Sequence, residues 1–430
     1  MTSNTTSSRI AELAGIISNA VSKIQGVLTE KGLPQPSFDE DSKYVLPAEA
    51  PVVEAQGQAL DAAGELYDLL LDPFTLLFRH GGHNNMVCQQ VITRFRIADQ
   101  VPPGGQRSFG EIAKSIDLNE QSVTRVLRHA MTMRIFCEPT PGMVAHTNIS
   151  KLLQTRHVHD WMTVAIEEMW PAAMKTVDAM QKWPGSQEPN ETAFTLSNNT
   201  TVSIYDMMAA NPQRAQRFGG AMVAYASSPS VDIAHLIDSY DWASLGDAAQ
   251  VIDIGGGTGA VAKQLAEQFS GLQVLVQDIA PVVDGAEADI PATLKDRVKF
   301  MAHDLFSPQE ISADVYVLRW VLHNWADKYA IMILRALVPI LKSGMRILIN
   351  EMCMPEPGTV ALSREKDLRA MDLDMGAVFN SHERNIGQWR NLLAEADPRF
   401  ELRSVIQPPG SILAIIEVDW DVLCSPLGNQ

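Results

Sequence analysis

Cysteine is scarce in this chain. Its 430 residues hold four, Cys88, Cys137, Cys353 and Cys424, scattered without the spacing of metal ligands. That spacing excludes a disulfide scaffold and gives no metal site; the thiols read as reduced, as in a cytoplasmic protein. Long apolar runs are missing too. None approaches the roughly 18 residues that a membrane-spanning helix needs, which excludes a transmembrane span. Residues 1–8 are polar, so no secretory signal peptide is expected, and this segment is expected to lack structure. Positive charge is short: 34 Lys and Arg face 51 Asp and Glu, for a formal net charge of −17. No local basic patch offsets it. The balance opposes binding to DNA, RNA or an anionic membrane, so neither nucleic acid nor membrane is expected as a partner.

What remains is the composition of an ordinary soluble enzyme, 46% hydrophobic and 20% charged, with length for two or three domains. Methionine is abundant at 19 residues, most of them expected to fill the core. The chain is organised around the stretch from Val251 to Phe269. Val251–Ile254 reads as a short buried strand and Gly255-Gly-Gly-Thr-Gly259 as a turn. Val261, Ala262, Leu265, Ala266 and Phe269 then recur at helical spacing. Gly255 and Gly257 let backbone approach a ligand where a Cβ would block it. The helix N-terminus adds free N–H groups and a partial positive charge.

Glycine turns of this kind serve NAD, FAD and S-adenosylmethionine alike. The next strand, Leu272–Gln277, ends at Asp278, where a carboxylate suits a ribose diol and opposes a 2′-phosphate. Asp253, two residues before the first glycine, can accept from an ammonium group. The Gly-x-Gly-x-Gly run also departs from the dinucleotide spacing. Together these favour S-adenosylmethionine. A helix cap is the competing reading of Asp278.

Ahead of this stretch the chain reads as helical. Arg9–Lys31 is amphipathic, residues 32–57 form an extended linker, and Ala59–Leu71 is a second helix. Residues 85–150 hold a helix over Met86–Phe95 and a capping box at Ser108 and Glu111 before a short helix. A further helix covers Glu120–Met131, and a β-hairpin covers Ile135–Glu138 and Met143–His146. That is a winged-helix order. Arg125, Arg128 and His129 on its second helix are too few for a nucleic-acid interface in so acidic a chain. Ser150–Asp178 reads as one long helical stretch and residues 183–200 as a polar loop or hairpin. After Asp278, helices at Pro281–Ala288, Lys328–Leu341, Leu368–Phe379 and Ile386–Ala396 alternate with strands at Val298–Ala302, Asp314–Trp320 and Met345–Glu351. Phe400–Ile406 and Ser411–Val418 close the chain as an antiparallel pair at the sheet edge. The class is α/β, a doubly wound sheet with a mainly helical N-terminal region.

Ligands of such sheets sit at the C-terminal strand ends. The polar residues there are Asp253, Asp278, Asp304, His323, Asn324 and Glu351. Asp304 can accept from an adenine amino group or cap the next helix, with Leu305 and Trp320 near the ring. His323 has the ordinary pKa of a base working near neutral pH. Glu351, ending the neighbouring strand, can orient the imidazole and stabilise its charged form; Glu383 is a second candidate.

These motifs carry a resemblance. Val251–Gly259, Val276-Gln-Asp278, His303-Asp-Leu-Phe306 and Arg319-Trp-Val-Leu-His-Asn-Trp-Ala-Asp327 are similar to the motifs of fungal S-adenosylmethionine-dependent O-methyltransferases of the plant caffeate/flavonoid type. Residues 80–150 resemble that family's dimerisation winged helix. The resemblance spans roughly residues 60–420. It implies a dimerisation domain over 1–155, a Rossmann-like class I methyltransferase domain over 156–430, and a homodimer. It also implies a hydroxylated aromatic or polyketide-type substrate. His323 would be the base, with Glu351 and Glu383 flanking it. Asp253, Gly255, Gly257, Asp278, Asp304, Leu305 and Arg319 would hold the cofactor. Trp161, Met169, Trp320, Asn324, Met375 and Asn380 would line the substrate pocket. Asn324 departs from the family, which usually has Asp there, and the loop before Glu383 is shorter than in plant members. The same fold without methyl transfer, as a pericyclase, is an alternative, and a non-catalytic winged-helix regulator is another.

Overall fold

Each unit of the structure is built from the periodicities just described. The computed structural model of the chain describes residues 8–43, 46–47, 49–79 and 82–420, so residues 1–7 and Cys424 lie outside the described residues. It divides into two compact units. The first is Met1–Pro171 with Met207–Tyr225 and Gly358–Asp367; the second is Ala172–Asp206 with Ala226–Pro357 and Leu368–Gln430.

In the first unit, helices Arg9–Glu30 and Ala50–Leu69 run antiparallel. Arg9 pairs with Glu65 at one end and Lys31 with Glu49 at the other. Leu13, Ala20, Leu28, Val52, Ala55 and Ala62 are buried on these two helices. The second helix begins at Ala50, inside the expected linker, because Pro51 in its first turn has φ preset for a helix and loses no needed N–H. Ser8 caps the first helix through Ala11 N. Further along, the expected capping box at Ser108 and Glu111 is present and opens the helix Phe109–Ser115.

The expected hairpin over 135–146 is different. Strand β1 (Gln106–Ser108) pairs antiparallel with β2 (Met143–Ala145), and Cys137 makes only an isolated bridge to Ala145. Phe136 sits at φ 65°, which breaks an extended run, and its ring is buried. The expected continuous helix over 150–178 is also segmented, into Asn148–Leu152, Arg156–Val164, Trp170–Ala173 and Thr176–Lys182, with a π-helical turn at Ala165–Met169. Pro171, lacking an N–H, lies just past that turn, after Trp170.

The π-turn carries Glu168, 1% exposed. Its carboxylate accepts from Arg214 Nε at 2.6 Å and from Arg217 Nη2 at 3.1 Å, and Arg214 Nη2 adds a short contact. One buried anion thus compensates two cations on the helix Pro212–Ala226.

The second unit is built on a sheet of β3 (Gln250–Ile254), β4 (Gln273–Asp278), β5 (Val298–Ala302), β6 (Val315–Arg319), β7 (Arg346–Met354), β8 (Arg384–Asn385), β9 (Phe400–Ile406) and β10 (Leu413–Trp420). The order is β5-β4-β3-β6-β7-β10-β9, and β8 adds to β7. Pairings from β5 through β7 are parallel, while β10 runs antiparallel to both β7 and β9. The reversed strand is therefore β10, one place inside the edge. Its inward position follows from its composition: Leu413 to Val418 is buried almost throughout, which an edge strand does not need. Alternate residues of the strands face two apolar layers. Ile252, Ile254, Tyr316 and Leu318 pack with Ile333, Leu334, Leu337, Trp389 and Leu393. Val251, Val274, Val276, Val315 and Val317 pack with Val261, Leu265 and Ala266. This is the doubly wound α/β architecture expected from the sequence. Two local expectations change. Gly285, at φ 83°, splits the helix expected over 281–288 into Ala280–Val283 and a 3-10 turn. The loop 183–200 contains a helix, Ala193–Ser197, because Phe194 is buried there.

Removing Glu168 leaves two arginines without their buried counter-charge. Glu168→Ala is expected to lower the unfolding free energy by about 3–5 kcal/mol. Urea unfolding followed by circular dichroism measures it, and an unchanged midpoint would refute the compensating role.

Candidate functional site

Strand order reverses about β3 and β6, and the loops leaving their C-terminal ends part to opposite sides. The glycine turn leaves β3. Gly255, Gly257 and Gly259 have φ of 69°, 58° and 77°, a region costly for any other residue. Gly255 N and Gly256 N donate to Gln277 O at 2.7 and 3.3 Å, which folds the turn onto β4. Gly257 N donates to Asp278 Oδ2 at 3.0 Å. A Cβ on Gly256 would stand 2.4 Å from Asp253 Oδ2, and one on Gly255 would stand 2.8 Å from Val321 Cγ2. Both positions are closed to any side chain.

Two carboxylates face this turn. Asp278 ends β4, and Ile279 N donates to its Oδ1 at 2.8 Å. Burial raises its pKa, and the two backbone donors partly offset that. Asp253 is 1% exposed, and its Oδ2 has no hydrogen-bond partner among the described residues. Burial pushes its pKa up to about 7, with Arg319 opposing and Asp278 adding to the rise. Arg319 ends β6; its guanidinium donates to Asn350 Oδ1 and Val231 O. Asp304 follows β5 and is exposed. Its Oδ1 accepts from Phe306 N at 3.0 Å, so it caps the local turn, while Leu305 packs on the core.

The second cluster lies across β6, β7 and β8. Trp320, at φ 57°, turns the chain out of β6 into a 3-10 turn, Leu322–Asn324. His323 on that turn is buried, and its Nδ1 is 2.9 Å from Glu383 Oε1. Glu383 N donates to Asp372 Oδ1 at 2.7 Å, and Glu383 Oε2 has no partner among the described residues. Glu351, fully buried in β7, accepts from Val321 N at 2.8 Å and Leu322 N at 2.9 Å, while its Oε2 is likewise without a partner among them. Burial alone would lower the imidazole pKa. The Glu351 charge and the Glu383 hydrogen bond outweigh it, so the net shift is upward. Burial likewise raises the Glu351 pKa, opposed by His323. With Nδ1 donating to Glu383, Nε2 carries the free lone pair, and no protein group bonds it among the described residues. Such a group can take a proton.

Trp320 stands 5.6 Å from His323, ring centroid to ring centroid, and Asn324 Nδ2 donates to Trp320 O at 3.1 Å. Met375 is buried on the helix Leu362–Phe379, and Asn380, at φ 56°, donates to Glu188 O at 3.1 Å. Trp161 and Met169 belong to the first unit, where Trp161 stacks on Tyr225 at 4.8 Å and Met169 ends the π-turn. Sequence reasoning passed over Arg384 and Asp372, which brace the Glu383 side of the cluster. The signal for Arg384 is a fully buried arginine directly after a candidate acid, and burial is visible only in three dimensions.

With this geometry in hand, comparison with known proteins is informative. The model of the O-methyltransferase domain matches residues 184–398. O-methyltransferase PaMT of Phomopsis amygdali is 42% identical over 414 residues, covering 96% of each chain. O-methyltransferase kk1A of Curvularia clavata is 37% identical, covering 96% of this chain and 98% of its own. Among solved structures, LepI in complex with SAM superposes with a TM-score of 0.73 at 22% identity, covering 95% of this chain and 100% of that one.

The sign of the Asp253 shift sets a pH dependence. Below its unfolded pKa of about 3.8 the carboxyl is neutral in both states; between there and about 7 only the unfolded chain releases the proton. Stability attributable to Asp253 therefore falls over that window and is flat above it. Asp253→Asn is expected to match the parent near pH 4 and to exceed it increasingly up to about pH 7. Urea midpoints of the two proteins across that range measure this, and parallel curves would refute it.

Proposed function

Because this chain belongs to the O-methyltransferase family, whose members use S-adenosylmethionine, we propose that it methylates a hydroxyl of an aromatic or polyketide-type small molecule, with His323 as the base. The observation that carries the assignment is the buried His323–Glu383 hydrogen bond at 2.9 Å with Glu351 beside it. The residues at the β3 and β4 ends fit the cofactor. Asp253 offers an orphaned carboxylate oxygen for an ammonium group, Asp278 a carboxylate for a ribose diol, and the glycine turn a surface without side chains. Arg319, Asp304 and Leu305 complete this set. When bound, S-adenosylmethionine supplies an electrophilic methyl group.

The chain's own residues do the rest. His323 Nε2 takes the acceptor's hydroxyl proton. Glu383 holds the ring through Nδ1 and stabilises the imidazolium, as the acid of a triad does. Glu351 adds its charge and, through two backbone donors, fixes the turn that carries the histidine. Trp320, Asn324, Met375 and Asn380 are the proposed pocket residues of the second unit; enclosure and orientation of the acceptor account for much of such a rate. The proposed domain division is dimerisation over 1–155 and catalysis over 156–430. No helix among the described residues is long and apolar enough to cross a membrane; a cytoplasmic enzyme is the reading adopted.

A homodimer is part of this proposal. Helix Pro73–Arg79 of the first unit exposes Phe74, Leu77 and Phe78 at 75%, 74% and 79%, a concentration of apolar surface that water disfavours. Phe74→Asp with Phe78→Asp is expected to shift the sedimentation mass from two chains to one. A monomeric parent protein would refute the dimer.

His323→Ala is expected to lower methyl transfer by about 10²–10⁴-fold while S-adenosylhomocysteine still binds. Glu383→Gln should lose part of that rate. Transfer should rise with pH through a midpoint above the ordinary histidine value, since only the neutral ring accepts a proton. The assay uses labelled S-adenosylmethionine with a panel of phenolic and hydroxypyridone acceptors. Full transfer by His323→Ala would remove the base assignment. Cofactor binding with no transfer, but altered isomer ratios from a reactive polyketide, would favour the pericyclase instead.

A further inference from the structure

Arg384 is fully buried, yet neither acceptor nor cofactor chemistry accounts for it. It follows Glu383 directly and begins β8, whose backbone is in parallel register with Cys353 and Met354 of β7, just beyond Glu351. Its side chain reaches the turn that carries His323. Nη1 donates to Leu322 O at 3.1 Å and Nη2 to Trp325 O at 2.8 Å, the carbonyls on either side of the histidine. Nε donates to Asp327 Oδ1 at 2.9 Å, and the guanidinium carbon lies 5.3 Å from the Trp389 ring centroid. Asp327 opens the next helix, and Trp389 is fully buried beneath. One rigid fork is therefore fixed to both ends of the His323 turn, while its own backbone is fixed to the strand of Glu351.

We propose that Arg384 is a positioning residue that locks the His323 turn in register with Glu383 and Glu351. The proposal rests on the reading of His323 as base. A 3-10 turn of three residues has little internal hydrogen bonding. Glu351 holds it from the N-terminal side through Val321 N and Leu322 N; without Arg384 its carbonyl side is held much less. Ring placement within a fraction of an ångström decides whether Nδ1 meets Glu383. A lysine cannot replace the fork, since its single ammonium cannot reach two carbonyls and a carboxylate in fixed geometry. Charge adds a second effect. The imidazole is faced by Glu351 from β7, Glu383 ahead of β8 and Arg384 from β8, with His382, Asp327 and Asp372 around them; Arg384 opposes the protonation that the two glutamates favour.

The test uses the full-length enzyme. A buried imidazole N–H bonded to a carboxylate gives a low-field proton resonance, assigned to His323 by its loss in His323→Gln. Arg384→Lys is expected to lose or move that resonance and to lower methyl transfer by about a hundredfold, with S-adenosylhomocysteine binding and circular dichroism unchanged. Asp327→Asn, at the partly exposed end of the clamp, should move the resonance less and lower transfer severalfold, and it decides the matter if Arg384→Lys does not fold. An unmoved resonance with parental transfer in a folded variant would overturn the clamp. Should His323→Gln itself retain transfer, the base assignment fails, and the clamp is judged on the resonance alone.

Discussion

The second unit concentrates negative charge where its sheet can least screen it. Asp253, Asp278, Glu351 and Glu383 all sit at or beside the C-terminal ends of parallel strands, and Asp253, Glu351 and Glu383 are almost wholly buried. Unpaired carboxylates at such depth are costly, and the chain meets the cost with few cations. Arg319 lies within electrostatic reach of Asp253 and Glu351. His323 joins Glu383, and Arg384 turns instead to Asp327 and two carbonyls. Burial raises the pKa values of Asp253, Asp278 and Glu351, and the Glu351 charge with the Glu383 hydrogen bond raises that of His323. Three oxygens, Asp253 Oδ2, Glu351 Oε2 and Glu383 Oε2, have no partner among the described residues. Orphaned carboxylate oxygens and a buried imidazole suit a bound cation and an accepted proton, the two requirements of the proposed methyl transfer.

The glycine turn packs closely on its surroundings, since a Cβ at Gly255 or Gly256 would collide with Val321 or Asp253. Val321 stands at the start of the histidine turn, and its N–H is held by Glu351. Val321 thus links the glycine turn to the histidine turn.

Much of this was legible in the sequence. Strands β3 to β7 read correctly because buried parallel strands are short apolar runs bounded by turn residues, and each proposed polar group of the sheet follows from a strand end. His323, Glu351 and Glu383 could be named because a resemblance fixed which strand ends mattered; their convergence is a tertiary fact. Three helix errors share one cause. Helix Ala50–Leu69, the split at Gly285 and the π-turn before Pro171 depend on single residues that start or break a helix, which the average apolar period hides. The inward place of β10 is marked by its continuous burial from Leu413 to Val418, which a hairpin pattern alone does not reveal. Arg384 was invisible because its importance is its burial.

Asn324 shows how a departure from family pattern can be structural. Trp320 leaves β6 with positive φ, a conformation disfavoured for a bulky residue. Asn324 Nδ2 donates to Trp320 O at 3.1 Å and so closes the turn over the strained residue. An ionised aspartate at this position has no donor and would place a negative charge on the histidine turn itself. Its oxygen would meet the Trp320 carbonyl as one acceptor against another. In this chain the amide therefore suits both the backbone and the local charge, and the departure from the usual aspartate leaves the His323–Glu383 bond intact.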